Sequence, residues 1–211
     1  MTELGLRERK KQETRRRITD AAIELFAERG FEQVPVADIA AAADVSTATV
    51  FNYFPAKEDL IYDGMASFNE SVLAAIRDRA DGVSVVQAFR VYVIQPRGVL
   101  ADPASPVVPA LARIARIVRD SPSLQARERL EADREVEALR ELLAEELDDE
   151  LRCWTVASAL VGTTRGMSRQ VQRAAAEGSL DARLARRLLA SADAAVAVIE
   201  AGLAGATKRR P

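Results

Sequence analysis

Apolar residues along this chain recur at three- and four-residue intervals, and that spacing predicts helices from end to end. In TRRRITDAAIELFAERG, Ile18, Ala22, Leu25 and Phe26 share one face, and Gly30 supplies a C-terminal stop. VADIAAAA predicts a short helix with Val36, Ile39 and Ala40 turned inward. STATVFNYF predicts another, ended by Pro55, because the residue before a proline is pushed out of the helical region. From Lys57 to about Arg79 a longer helix is expected, with Leu60, Ile61, Met65, Phe68, Val72 and Ile76 along its buried side. VSVVQAFRVYVI is β-branched enough for a strand, yet no second segment alternates in a way that could pair with it, so it too is read as helix. QPRGVLADPASPVVP is the one long irregular connection. Further helices are expected at 107–119, 122–147, 149–177 and 181–205, about nine in all, with a disordered tail at 206–211.

The fold class expected is therefore all-α. At 211 residues, 48% hydrophobic and 29% charged, the composition is that of an ordinary soluble chain. No apolar run approaches the roughly eighteen residues that span a bilayer. The N-terminal stretch is charged and has no apolar signal core, so a cytoplasmic location is expected. The sequence contains no His and a single Cys, Cys153. That removes the commonest general base and metal ligand and leaves no internal disulfide, so no catalytic residue, metal or cofactor is assigned. No phosphate-cradling glycine motif is present either.

The formal net charge of -2 conceals a separation. LRERKKQETRRR is strongly basic, whereas EADREVEALRELLAEELDDE is acidic. Charge segregated along a chain carries more information than its sum. A basic N-terminal stretch is equally a solvated tail or an electrostatic footprint for nucleic acid.

Residues 36–54 help to choose. Asp44 and Val45 turn the chain between two short helices, and Ser46 is a good N-cap. If Val45, Val50 and Phe54 face a small core with Ile39 and Phe26, then Thr47, Ala48, Thr49, Asn52 and Tyr53 face outward. That is a helix-turn-helix whose second helix carries hydrogen-bonding groups and a small Ala for close approach, which suits a major groove. Thr bonds phosphate or touches a thymine methyl, and Asn pairs with an adenine edge. The plain alternative is a helical hairpin that only packs, with its polar residues on the wet side.

Residues 14–62 resemble the N-terminal domain of the TetR family of transcriptional regulators, through TRRRITDAAIELFAERGFE, VADIAAAADVSTATVFNYF and PAKEDLI in one order and spacing. The resemblance implies a basic arm at 1–10, a DNA-binding domain at 11–71 with its recognition helix at about 46–54, and a ligand-binding and dimerisation domain at 72–205. It implies phosphate contacts from Thr14, Arg15 and Lys57. It places Ser46, Thr47, Ala48 and Thr49 at the groove-facing start of the recognition helix, and Asn52 and Tyr53 on base edge or phosphate. Four positions depart from the family pattern. Pro35 and Ala56 stand where hydroxyl caps are usual, Asp44 where the turn is usually Gly, and Phe51 where Tyr is common.

For the remainder, the resemblance implies a cavity for a small-molecule effector and a two-fold homodimer built from the last two helices. Candidate ligand-binding residues are Met65, Phe68, Phe89, Tyr92, Trp154, Arg165 and Met167, apolar walls with few polar groups. An aromatic at helical spacing is more often core, and Arg165 is equally placed to bond an acidic neighbour. Candidate dimer residues are Val161, Leu184, Leu188, Ala192, Ala195 and Ile199, set against an ordinary intramolecular core. The expected function is a dimeric repressor that leaves double-stranded operator DNA when a small-molecule effector binds. A protein-binding adaptor using the acidic 128–150 face, or a DNA-binding regulator without an effector, are the alternatives.

Overall fold

A computed structural model describes residues 5–62 and 66–203, with the side chains of residues 6 and 66–69 outside the description. Every regular element among them is helical. In chain order these are α1 (Leu6–Arg29), α2 (Val36–Ala42), α3 (Thr47–Tyr53), α4 (Asp59–Tyr62), α5 (Ala66–Arg77), α6 (Val85–Val93), a 310 turn at Gly98–Leu100, α7 (Val108–Asp120), α8 (Pro122–Leu143), α9 (Glu150–Glu177) and α10 (Ala182–Leu203). None of the described helices is long and apolar enough to cross a membrane.

The chain divides into two compact units, Met1–Ala66 with Arg113–Arg127, and Ser67–Ala112 with Glu128–Pro211. The first is a small helical cluster. Ile18, Ala22 and Phe26 of α1 meet Ile39 and Ala40 of α2, Val50 of α3, Leu60 and Ile61 of α4, and Phe54 after α3, all buried. Ile117 and Val118 of α7 and Leu124 of α8 belong to the same core. Each large side chain fully buried here contributes on the order of 1.5–3 kcal/mol. Gly30 ends α1 with φ 82°, a backbone region open to Gly, and its N–H reaches the Phe26 carbonyl at 2.9 Å. The turn brings the Phe31 ring to 4.8 Å from the Phe26 ring.

The second unit is built on α6, α9 and α10, with Val86, Phe89 and Val93 packed among Ala157, Leu160, Ala192 and Val196. Ser84 and Gln87 form a reciprocal capping box that sets α6 as a helix despite its β-branched residues. The Glu146 carboxylate also accepts from the Val85 N–H at 3.0 Å and from Arg79 at 3.2 Å, placing negative charge at the start of α6. Arg90 of α6 reaches Asp193 at 2.7 Å and Glu200 at 2.8 Å on α10.

Three expectations about element boundaries change. Residues 6–10, assigned to a basic arm, are the first turns of α1, because nothing between Gly5 and Gly30 breaks a run of strong helix formers. The long helix expected at 57–79 is recorded as α4 and α5, and residues 63–65 between them lie outside the described residues. The helix expected at 122–147 ends at Leu143, where the chain turns so that both the Glu146 and Leu147 N–H groups bond the Leu143 carbonyl at 2.9 Å. Ten α-helices are therefore described where about nine were expected. The expected tail at 206–211 lies outside the described residues.

Candidate DNA-recognition surface

The turn between α2 and α3 is closed by backbone bonds from the Val45 N–H to the Ala40 carbonyl at 3.0 Å and from the Asp44 N–H to the Ala41 carbonyl at 3.2 Å. Asp44 takes φ 52°, the left-handed conformation that Gly usually fills and that Asp tolerates better than most residues. Ser46 then caps α3. Its Oγ accepts from the Thr49 N–H at 3.0 Å and lies 2.8 Å from Thr49 Oγ1.

With that end fixed, Val50 and Phe54 are each 1% exposed, and Val45 packs against the same core. Ser46, Thr47, Ala48 and Asn52 are left exposed, with Thr49 and Tyr53 half-buried. One α3 side chain was undervalued by sequence reading. Phe51, treated there as a tyrosine without its hydroxyl, is 48% exposed on the reading helix and adds apolar surface suited to thymine methyl groups. Its position one residue after buried Val50 was the available signal.

Thr14 and Arg15 on α1 are half-buried, and the Arg15 guanidinium lies 4.8 Å from the Phe54 ring centroid. Arg7, Arg9, Lys10, Lys11, Arg16 and Arg17 are exposed around α1. Arg16 meets Asp20 at 3.5 Å, a solvent-exposed pair of little energetic weight.

Lys57 sits apart from this exposed set. Its Nζ donates to the Phe31 carbonyl at 2.5 Å and lies 4.4 and 5.5 Å from the Phe31 and Phe26 ring centroids. Burial pushes its pKa down, opposed by Glu32 and Glu58. Its charge is thus engaged within the unit. At Ala56, where the family's hydroxyl cap is missing, the Asp59 carboxylate accepts the Ala56 N–H at 2.9 Å. Pro35 precedes α2 with no side-chain cap bond.

The ligand candidates scatter. Phe89 is buried in the second unit's core, and Tyr92 and Met167 pack against that core. The Arg97 guanidinium covers the Tyr92 ring at 3.8 Å. Arg165 faces the acidic side chains of Glu128 and Glu135 on α8, with Arg169 also acting on Glu128. Burial raises both carboxyls, Glu135 to about 7. Trp154 is 53% exposed on α9 and lines no core. Met65 and the Phe68 side chain lie outside the described residues.

The dimer candidates divide by burial. Val161 on α9 and Leu188 and Ala192 on α10 are buried within their own unit, and Ile199 packs on its core. Leu184 is half-buried and Ala195 exposed. The outward apolar side chains are Leu151 (75% exposed) and Trp154 on α9 and Val198 (73%) on α10. A Cβ added at Gly162 or Gly166 meets nothing within 4 Å, so neither glycine serves a close approach inside the chain.

Comparison with known proteins bears on what this surface is. The family described as "Bacterial regulatory proteins, tetR family" matches residues 18–62, which run from α1 to the end of α4. The HTH-type transcriptional regulator TcmR of Streptomyces glaucescens is 31% identical over 173 residues, covering 79% of this chain and 76% of that protein. Among solved structures, NalD, the secondary repressor of the MexAB-OprM multidrug efflux pump in Pseudomonas aeruginosa, shares the fold with TM-score 0.52 at 19% identity, over 88% of this chain and 97% of that one. Thermus thermophilus FadR, a transcriptional repressor in complex with lauroyl-CoA, does so with TM-score 0.51 at 22% identity, over 93% of this chain and 97% of that one. With a capped α3 on a buried helical core, and a relative matched along most of both chains, this chain belongs to the TetR family of bacterial transcriptional regulators.

Proposed function

We propose that the chain is a cytoplasmic homodimeric repressor that reads a near-palindromic operator and is released from it by a small-molecule effector. The observation that carries this reading is the α2–α3 turn. Asp44 and Ser46 hold α3 so that Val50 and Phe54 anchor it while Thr47, Ala48 and Asn52 stay open for a groove. In a dimer, two such helices enter successive major grooves about 34–36 Å apart. The outward Leu151, Trp154 and Val198 supply the apolar surface that a partner copy would cover. Thr14, Arg15 and the exposed cations of α1 meet phosphates. An effector within the second unit shifts the equilibrium by its differential affinity for the DNA-bound and released states. The lauroyl-CoA complex of the Thermus relative is the comparison in keeping with a small organic effector.

Footprinting on DNA upstream of the chain's own gene, with excess competitor at two salt concentrations, tests the reading. A protected near-palindrome that weakens steeply with salt is the expected result. Failure there and in selection from random DNA would leave the helix-turn-helix without a DNA target and remove the proposal.

A further inference from the structure

The second unit carries opposite charge at its two ends. α5 and α8 both bring the chain out of the first unit into the second. They run the same way, since Arg79, just past the end of α5, meets Glu146, just past the end of α8, at 3.2 Å. Residues 144–149 turn the chain, and α9 returns along α8 until Arg165 and Arg169 face Glu128, the first α8 residue of the second unit. Beyond Arg169, α9 continues to Glu177, a further rise of about 12 Å, before the turn into α10. The α9–α10 turn therefore lies at the end where the chain enters this unit, and the α8–α9 turn at the far end.

The far end is acidic. Residues 141–150, ELLAEELDDE, hold six carboxylates and no cation. The entry end is basic. Arg173 in the last turns of α9 and Arg183, Arg186 and Arg187 in the first turns of α10 are all exposed. None of these four is paired with a described carboxylate, whereas Arg79, Arg90, Arg127 and Arg140 each are. Between positions 173 and 187 only Glu177 and Asp181 oppose them, and Asp181 is engaged with the Leu184 N–H at 2.7 Å. The length of α9 sets the two charged ends about 42 Å apart.

Guanidinium groups without a carboxylate partner suit phosphate oxygens, which they bind through paired hydrogen bonds. A body polarised in this way orients in the field of a duplex with its basic end inward and its acidic end outward. We propose that Arg173, Arg183, Arg186 and Arg187 form a second DNA-backbone surface, which engages phosphates between the two half-sites read by the α3 helices. This rests on the homodimeric DNA reader proposed above. α10 carries Val198 of the face assigned there to the partner copy, so with α10 packed along that copy its first turns would flank the two-fold axis. That axis passes through the centre of a palindromic operator. The contacts are with phosphate alone, so they add affinity without sequence preference.

The test is the salt dependence with which the full chain binds a random-sequence duplex. Three variants each remove two exposed cations per chain. They are Arg173→Gln with Arg186→Gln at the entry end, Arg77→Gln with Arg152→Gln at the acidic end, and Arg9→Gln with Lys10→Gln on α1. Gln keeps helix propensity at each position, and sedimentation velocity follows the dimer. The entry-end pair and the α1 pair should each lower the slope of log affinity against log salt by about two units, with about tenfold weaker binding at about 0.1 M salt. The acidic-end pair should change the slope by less than about half a unit. Equal effects of the entry-end and acidic-end pairs would reduce the surface to net charge and overturn the proposal. Loss of the dimer in the entry-end pair would overturn it too, by placing these arginines in the subunit interface. So would low-salt self-association of the wild type that the entry-end pair abolishes with the DNA slope unchanged, because the surface would then belong to the acidic end of another copy. An α1 pair that weakens binding beside an inert entry-end pair sinks this proposal alone. A wild-type chain that binds no duplex, the footprinted DNA included, removes the repressor reading as well.

Discussion

Asn52 reaches solvent because its neighbours Val50 and Phe54 do not, and that division of labour within one short helix gives each residue a distinct mutational signature. Asn52→Ala should relax preference at one base pair, costing ~1–3 kcal/mol there, while leaving folding intact. An unchanged ranking of operator variants in competition assays would remove its base-reading role. Lys57 should behave differently. The family resemblance implies a phosphate contact from it, while its ammonium bonds the Phe31 carbonyl beside two rings. Lys57→Ala is therefore expected to lower stability by ~1–3 kcal/mol with the salt dependence of DNA binding unchanged. A salt slope reduced by about one unit at unchanged melting temperature would restore the phosphate role. Glu135 reports on pH. Burial raises its carboxyl to about 7, with Arg165 pulling it down and Glu131 pushing it up. A carboxyl raised on folding holds its proton more tightly in the folded chain. Its contribution is then fully present below the unfolded carboxylate range and is lost as pH rises towards 7. Glu135→Gln cannot ionise, so it should raise melting temperature near pH 8 with little effect near pH 5, flattening the profile between them. Half-buried Glu128, also raised, leaves a residual slope. Parallel profiles for both proteins would contradict the assignment.

Among the helices, α8 shows how a single cap ties distant stretches of chain together. Ser121, 1% exposed and immediately before Pro122, accepts from the Leu124 N–H at 3.2 Å and donates to Glu32 at 2.6 Å. The latter bond holds the Glu32 carboxyl below its usual range. Two more links join α8 to the same unit. The Tyr62 hydroxyl donates to the Leu124 carbonyl at 3.1 Å, and Arg127 meets Asp59 at 3.4 Å. Ser121→Ala should cost ~1–3 kcal/mol, through the lost cap and the abandoned Glu32 contact. Glu32→Gln, which keeps an acceptor, should cost less. Equal and negligible losses in denaturant titrations would show that the links carry no weight. Nothing near Ser121 in the sequence indicates Glu32, since the two lie 89 positions apart. By contrast α3 was legible to within one residue at each end, because Asp44, Ser46 and Pro55 act on their immediate neighbours. The start of α1 was not legible, since Leu6–Glu13 has no apolar stripe and helical propensity alone carries it. Which residues of α9 and α10 point outward was less legible. α10 is rich in Ala on several faces, and periodicity alone does not say which of them a chain buries against itself.

For the molecule as a whole, the homodimer proposed above would be built on that outward face. Leu151, Trp154 and Val198 lie open, apolar surface that a partner copy would cover in that homodimer. Trp154→Glu with Val198→Glu should convert a dimer in sedimentation velocity to a monomer, raising the dissociation constant on the order of a hundredfold. Operator protection should be lost with it, whereas far-ultraviolet circular dichroism should not change. A variant that still sediments as a dimer would move the interface elsewhere. The start of α1 has a different consequence, one of entropy and search. Arg7 to Arg17 rise along a helix that spans about 15 Å between them, in place of a loose tail. Ordering a free residue costs roughly 1–2 kcal/mol, and these residues have met that cost before any DNA is present. The cations therefore keep a fixed spacing, set by the helix they ride on. They give up the long reach of a flexible arm, and in the proposed DNA complex they would approach the duplex as a rigid comb.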